Sequence, residues 1–319
     1  MKILCATDLL TNSDSAIDRA GMLADRLGAE LSLLHVVPAT ESDRLPEREL
    51  LRVGGQLKMR IRRPLWRYGP PPNVHVRTGS PTQVLIETMK EWGPDLIVLG
   101  RHRQRPAWDF LVGTMATRLL SERKCPVLIV GNMCYDAYRN IVLALDGTKV
   151  SPDALRVAEA WVVKDGVSAT IVHAYQPPYD GALSSIGIAG DVVSRYSLDG
   201  TYDASGALRA LLMDVSNDFS RYDLVVENSS PEAIIQKVVH RVNPDLLVLG
   251  THGRGRLGRT LLGSVANRVM ATVVCDVLVV PERFAEAAGD AARFRIAEAN
   301  PVRGRAEIVR SSENLQDDL

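Results

Sequence analysis

No stretch of this chain stays apolar for the ~18 residues that a membrane-spanning helix requires. Its opening, MKILCATDLL, turns acidic too early for a secretory leader. Net charge is also missing: 38 basic residues stand against 38 acidic ones. That balance argues against a general nucleic-acid coat or a membrane-surface role, so any electrostatic argument must be local. Cysteine is scarce. Cys5, Cys125, Cys134 and Cys275 form no C-x-x-C pair, and three of them lie in or beside apolar strand-like runs, where cysteine acts as a small hydrophobe. Reduced thiols and a cytoplasmic location are the expectation. The P-loop pattern G-x-x-x-x-G-K-[ST] does not occur. Nor does a Ser-His-Asp grouping, a metal cluster or a placed base stand out.

What is present is an ordinary globular composition, 46% hydrophobic and 24% charged, in 319 residues with room for two domains. The chain contains one unit twice. Ile3 to Asp8 reads as a strand ending in an acid, followed by a helix with Ala16, Ala20, Leu23, Ala24 and Leu27 on one side, then a strand containing His35. The same order restarts at Ile141 to Asp146 and reaches His173; Asp8 to Asp146 and His35 to His173 are both 138 residues apart. The second half repeats at a different offset. Ser80-Pro81, a helix and Pro94-Asp95-Leu96-Ile97-Val98-Leu99-Gly100 match Ser230-Pro231, a helix and Pro244-Asp245-Leu246-Leu247-Val248-Leu249-Gly250, 150 residues on. Copy two therefore carries a net insertion of 12 residues between His173 and Ser230. A repeat of this length is a duplicated domain, not a solenoid unit.

Alternating strands and helices predict an α/β fold: two tandem doubly wound domains, each an open five-stranded parallel sheet flanked by four helices. The boundaries read as 1–134, 135–283 and a C-terminal segment, 284–319, with helical character up to Ala299 and then a polar tail. Ligands in such folds bind beyond the strand C-termini, at the switch point of the topology.

The richest local signal is Asp245 to Ser264, DLLVLGTHGRGRLGRTLLGS. An apolar strand ends at Gly250, a Gly/Arg-rich loop follows, and helical spacing resumes with Val265, Val269 and Val273. Glycines let backbone N–H groups close on an anion, and the helix start adds a favourable dipole. A phosphate is the ligand such a loop predicts. Ser264 can bond the phosphate or cap the helix. Gly253, Gly255 and Gly258 satisfy the bare dinucleotide pattern G-x-G-x-x-G, but Asp276 precedes the next strand instead of ending it. His252 has no second His or Cys at ligand spacing and reads as a loop hydrogen-bonder.

Gly250, Gly253, Gly263 and Ser264 do fit G-x2-G-x9-G-[ST]. In this spacing the chain resembles the universal stress protein family, whose ATP-binding members carry it, over about residues 1 to 283. The resemblance implies a regulator that binds ATP, ADP or AMP, with Mg2+ accompanying ATP, and acts through protein partners yet to be identified. It implies that Ala144, Leu145 and Asp146 meet the adenine–ribose part. Gly250, His252, Gly253, Arg254, Gly263, Ser264 and Val265 would complete the nucleotide set. ATP turnover, if present, is expected to be slow. A nucleotide-independent scaffold and an ATP-using enzyme with an acceptor under the copy-two insertion are the competing readings. Family members also dimerise through the last strand. Val127–Val130 and Val277–Val280 are therefore expected to join the two copies as a pseudo-dimer within one chain, leaving room for a further homodimer.

Copy one keeps Asp8, Gly100, Gly113 and Thr114, but Arg103 stands where copy two has Gly253, and Pro106 removes a backbone donor. Two readings follow: a vestigial site, or one whose arginines bind phosphate by side chain. The vestigial reading is preferred, because the motif depends on backbone donors. Two further stretches are read as structural. Lys58 to Arg63 is one solvated helix face, and Pro177 to Gly206 is either a lid or a mobile excursion.

Overall fold

A computed structural model describes residues 1–9, 11–38, 47–61, 68–101, 114–122, 125–131, 136–146, 150–161, 167–175, 190–216, 219–251 and 263–281. The C-terminal segment 284–319 lies outside these residues, as does the loop 252–262. In copy one the order is β1 (Lys2–Thr7), α1 (Thr11–Leu27), β2 (Glu30–Val37), α2 (Glu47–Ile61), β3 (Asn73–Thr78), α3 (Pro81–Trp92), β4 (Leu96–Gly100), α4 (Thr114–Ser121) and β5 (Val127–Val130). Copy two follows with β6 (Asn140–Ala144), α5 (Val150–Trp161), β7 (Ser168–Tyr175), α6 (Gly190–Val215), β8 (Tyr222–Asn228), α7 (Pro231–Val242), β9 (Leu246–Gly250), α8 (Ser264–Thr272) and β10 (Asp276–Val280). Among the described residues five strands and four helices recur in each copy, as the sequence predicts.

The strands make one sheet in the order β3-β2-β1-β4-β5-β10-β9-β6-β7-β8. Every neighbouring pair is parallel except β5 and β10, which run antiparallel with Leu128 opposite Leu278. The two last strands thus close each other's edges. Central strands are apolar throughout because helices cover both faces; Leu96 to Leu99 and Leu246 to Leu249 are buried along their whole length. Each middle strand is anchored by the acid before it. The Asp95 carboxylate accepts the Lys2 N–H at 2.7 Å. The Asp245 carboxylate accepts the N–H groups of Arg139 and Asn140 at 2.8 and 2.9 Å.

Helix boundaries follow local chemistry. α3 and α7 both start with proline in the first turn and stop at a left-handed residue, Gly93 and Asn243. At α7, Ser230 supplies the cap, accepting the Ala233 N–H at 3.3 Å. The insertion in copy two is not a loop along its whole length: Gly190 to Val215 is a continuous helix of 26 residues, and only its remainder lies outside the described residues. Leu208 and Leu212 bury its C-terminal half against the sheet. Packing of that half overrides the two internal glycines.

Lys58 and Met59 of α2 are exposed, as the solvated-face reading of that basic run expects.

The seam between copies is built on polar as well as apolar contacts. Asp276, fully buried, accepts Arg19 Nε of α1 at 3.0 Å, the Tyr138 hydroxyl at 2.8 Å and the Gly131 N–H at 2.9 Å. The Arg19 guanidinium also lies 4.0 Å from the Tyr138 ring centroid. Arg101, the residue after β4, donates to the carbonyls of Val273 and Cys275 at 2.5 and 3.2 Å.

Two glycine-to-alanine changes are expected to move stability in opposite directions. A Cβ on Gly131 would lie 2.9 Å from the Val274 carbonyl and 3.1 Å from Arg101 Cζ. Gly131→Ala should therefore cost ~1–3 kcal/mol, as overpacking does. On Gly206, exposed within α6, a Cβ meets nothing within 4 Å. Gly206→Ala should add ~0.5–1 kcal/mol from helix propensity. Urea midpoints of the two variants check both signs.

Candidate functional site

In copy two the chain winds outward through β6, β7 and β8 and then returns to the other side of β6 with β9. β6 and β9 are direct neighbours, with Ala144 opposite Leu249, so their C-terminal ends stand side by side at the point where winding reverses. A crevice is the geometric consequence, because one connection leaves toward α5 on one face and the other toward α8 on the opposite face.

On the β6 side, Leu145 extends the strand by one residue. Its N–H donates to Val172 O at 3.0 Å, and its carbonyl lies 2.7 Å from His173 Nδ1. The Leu145 side chain is buried, and both its backbone polar groups are held by β7. It therefore fixes the direction of Asp146, the next residue, which is half-buried at the mouth beside half-buried Ala144. His35 makes the same contact with Thr7 O in copy one, at 2.8 Å. Both histidines are strand-end clamps.

On the β9 side, Gly250 ends the strand half-buried and Thr251 is buried. The Thr251 N–H donates to Val280 O at 3.0 Å, and the Thr251 carbonyl accepts the Gly263 N–H at 2.8 Å. The glycine/arginine loop thus leaves and returns at one residue. α8 begins immediately beyond, capped by Gly263 with no side-chain bond, so Ser264 is not the cap residue and stands exposed in the first turn with half-buried Val265 after it. An N-terminus without a side-chain cap presents N–H groups that an anion can satisfy. His252, Gly253 and Arg254 lie outside the described residues. The described residues at the adjoining ends of β6 and β9 and the start of α8 are Ala144, Leu145, Asp146, Gly250, Gly263, Ser264 and Val265.

Copy one has the same strand arrangement, Ala6 opposite Leu99. The Ser13 hydroxyl donates to the Asp8 carboxylate, and the Asp8 N–H donates to Ser13 Oγ at 3.3 Å. Leu9 takes a left-handed φ of 63° at the position where copy two has Gly147. Gly100 ends β4 half-buried, and Arg101 beyond it reaches across the seam. Gly113 lies outside the described residues; Thr114 opens α4.

Among the described residues no group of three His, Cys, Asp or Glu could hold an ion. Cys5, Cys125 and Cys275 are buried and form no disulfide. Burial pushes the Cys5 thiol up to about 12 and the Cys275 thiol up to about 11, the latter against the opposing pull of Arg101. Sequence reading missed the Arg19–Asp276–Tyr138 cluster. Asp276 was legible only as an acid before a strand, and nothing near it in sequence names its partner.

The Universal stress protein family model matches residues 1–131 and again 137–281. A universal stress protein from Thermus aquaticus is 30% identical over 143 residues, 45% of this chain and 98% of that one. A second, from Mycobacterium tuberculosis, is 25% identical over 210 residues, covering 63% of this chain and 65% of its own length. Of the solved structures, a universal stress protein from Archaeoglobus fulgidus superposes with a TM-score of 0.62 at 20% identity, covering 88% of this chain and 98% of that one. With two matches that together span most of its length, the chain belongs to the universal stress protein family, as a tandem two-domain member. No helix among the described residues is long and apolar enough to cross a membrane.

Thiol burial gives a direct check on this part of the fold. In the native protein, Cys5, Cys125 and Cys275 should react with an aromatic disulfide reagent at least about a hundredfold more slowly than in the unfolded chain, because the thiolate is the reacting species. Peptide mapping of the labelled sites reads this out. Rapid native labelling of Cys5 would contradict its place in the core.

Proposed function

We propose that this protein is a cytoplasmic stress-response regulator that binds one adenine nucleotide per chain in copy two. The observation that carries the reading is the adjacency of β6 and β9, which brings Asp146 to the same crevice as Gly250 and the start of α8. The donor set suits the ligand. Backbone N–H groups around Gly263 and the dipole of α8 favour phosphate oxygens, and a carboxylate such as Asp146 accepts hydrogen bonds from ribose hydroxyls. Gly253 lets the loop backbone approach the phosphates. Mg2+ would arrive with ATP and be held chiefly by its phosphates. In copy one Arg103 stands where copy two has Gly253, Pro106 removes a backbone donor, and Arg101 is engaged at the seam, which favours the vestigial reading. In this reading the nucleotide acts as a signal or a structural ligand. The protein partners and any further self-association belong to the same proposal.

Calorimetry should find one ATP site per chain. Asp146→Ala should weaken binding by roughly tenfold to a hundredfold, the effect of removing a charge-assisted hydrogen bond. Gly253→Arg should abolish binding with an unchanged melting temperature. Two equivalent sites per chain would overturn the assignment to copy two. Retained affinity in Gly253→Arg would revive copy one as an arginine-lined site. Absence of binding to ATP, ADP and AMP alike would favour a nucleotide-independent scaffold.

A further inference from the structure

The β5–β10 ladder cannot tell one copy from the other. Its registers, Val127 with Val279, Leu128 with Leu278 and Ile129 with Val277, are symmetric about the Leu128–Leu278 pair. β5 reads Val-Leu-Ile-Val, and β10 reads Val-Leu-Val-Val from Val277 onward. Two copies of β5, or two of β10, could form the same ladder with the same apolar contacts.

The polar contacts around the ladder are different. Each lies on one side of the symmetry only. By the repeat offsets, the counterparts of Arg19, Asp276, Gly131 and Arg101 are Val157, Pro126, Pro281 and Thr251. A β10–β10 pair would bury Asp276 against Val157 in place of Arg19. It would also set Asp276 against Pro281, which has no N–H to replace that of Gly131. A β5–β5 pair would leave the Arg19 guanidinium, only 5% exposed, facing Pro126 instead of a carboxylate. Tyr138 belongs to copy two and would stay with Asp276, but its neutral hydroxyl supplies no counter-charge; either like pairing leaves a buried charge without its ionic partner, which is costly.

We propose that this cluster makes the seam selective: the edge of copy one accepts copy two and rejects a second copy of itself, and the reverse holds for copy two. Arg19 and Asp276 are the discriminating residues, and Arg101 adds to them. The attraction is carried by the shared apolar ladder and the discrimination by the charges, a division that specificity often takes.

The test uses the whole chain with a protease site inserted between residues 131 and 136, cut after purification, unfolded in urea and refolded with both halves present. Native mass spectrometry separates the unlike pair from the two like pairs by mass. The cut wild-type chain should return almost only the unlike pair, in at least about hundredfold excess over either like pair. Arg19→Met with Asp276→Asn, which leaves neither charge to strand, should release like pairs toward the statistical mixture. Arg101→Thr, which installs the copy-two residue, should raise them to a smaller extent. Like pairs in the wild type, or an unlike pair that persists alone in the double variant, would overturn the proposal. A measurement on the intact chain stands beside it. In urea unfolding, the double variant should lose less stability than the sum of Arg19→Met and Asp276→Asn, because the second change removes the orphan that the first creates. Additive losses would remove the proposal's basis.

Discussion

A carboxylate with no access to water needs its partners wherever the chain can supply them. Asp276 takes them from three places: Arg19 of α1 in copy one, Gly131 at the end of β5, and Tyr138 in the segment leading to β6. Removing Arg19 leaves the buried carboxylate without its counter-charge and costs ~3–5 kcal/mol. What the cluster holds is the meeting of β5 and β10, and with it the continuity of the ten-stranded sheet. Arg19 also donates to the Asp136 carbonyl at 2.8 Å, tying the inter-copy segment to the same point. The core of each copy could be exchanged for another of like volume, but this cluster has no apolar equivalent that keeps its direction.

The two copies have shared the work unequally. In copy one, the residue after the glycine of the middle strand is Arg101, and its guanidinium grips the turn between α8 and β10. In copy two the same place is Thr251, whose backbone pins both ends of the glycine/arginine loop. One position thus serves assembly in the first copy and loop closure in the second.

Much of this was legible in the sequence, because it rests on local rules. The apolar runs at Leu96 and Leu246, the Ser-Pro starts of α3 and α7, and the glycine ending α3 are each decided by a few adjacent residues. So was the duplication, since equal offsets survive divergence. The pairing of β6 with β9 followed from topology once the fold was named. Three things were not legible. The Arg19–Asp276 pair spans 257 residues, and an arginine in an amphipathic helix looks like surface until its neighbour is known. α6 carries Gly200 and Gly206, which read as loop residues because propensity was weighed without the packing of Leu208 and Leu212. Ser264 looked like a helix cap, yet the helix begins at it and the cap role falls to Gly263. In each case a contact distant in sequence, or a shift of one residue, outweighed the local preference.

The antiparallel meeting of β5 and β10 gives the sheet a polarity that changes sign at its middle. All strands of copy one point one way and all strands of copy two point the other. Since crevices form at strand C-termini, the mouth bearing Asp8 and the mouth bearing Asp146 open on opposite margins of the molecule. A partner that caps the Asp146 mouth leaves the Asp8 margin clear, and a partner large enough to touch both would have to reach around the whole sheet. The two strand-end margins of the sheet therefore face opposite ways, and a neighbour can meet one of them without meeting the other.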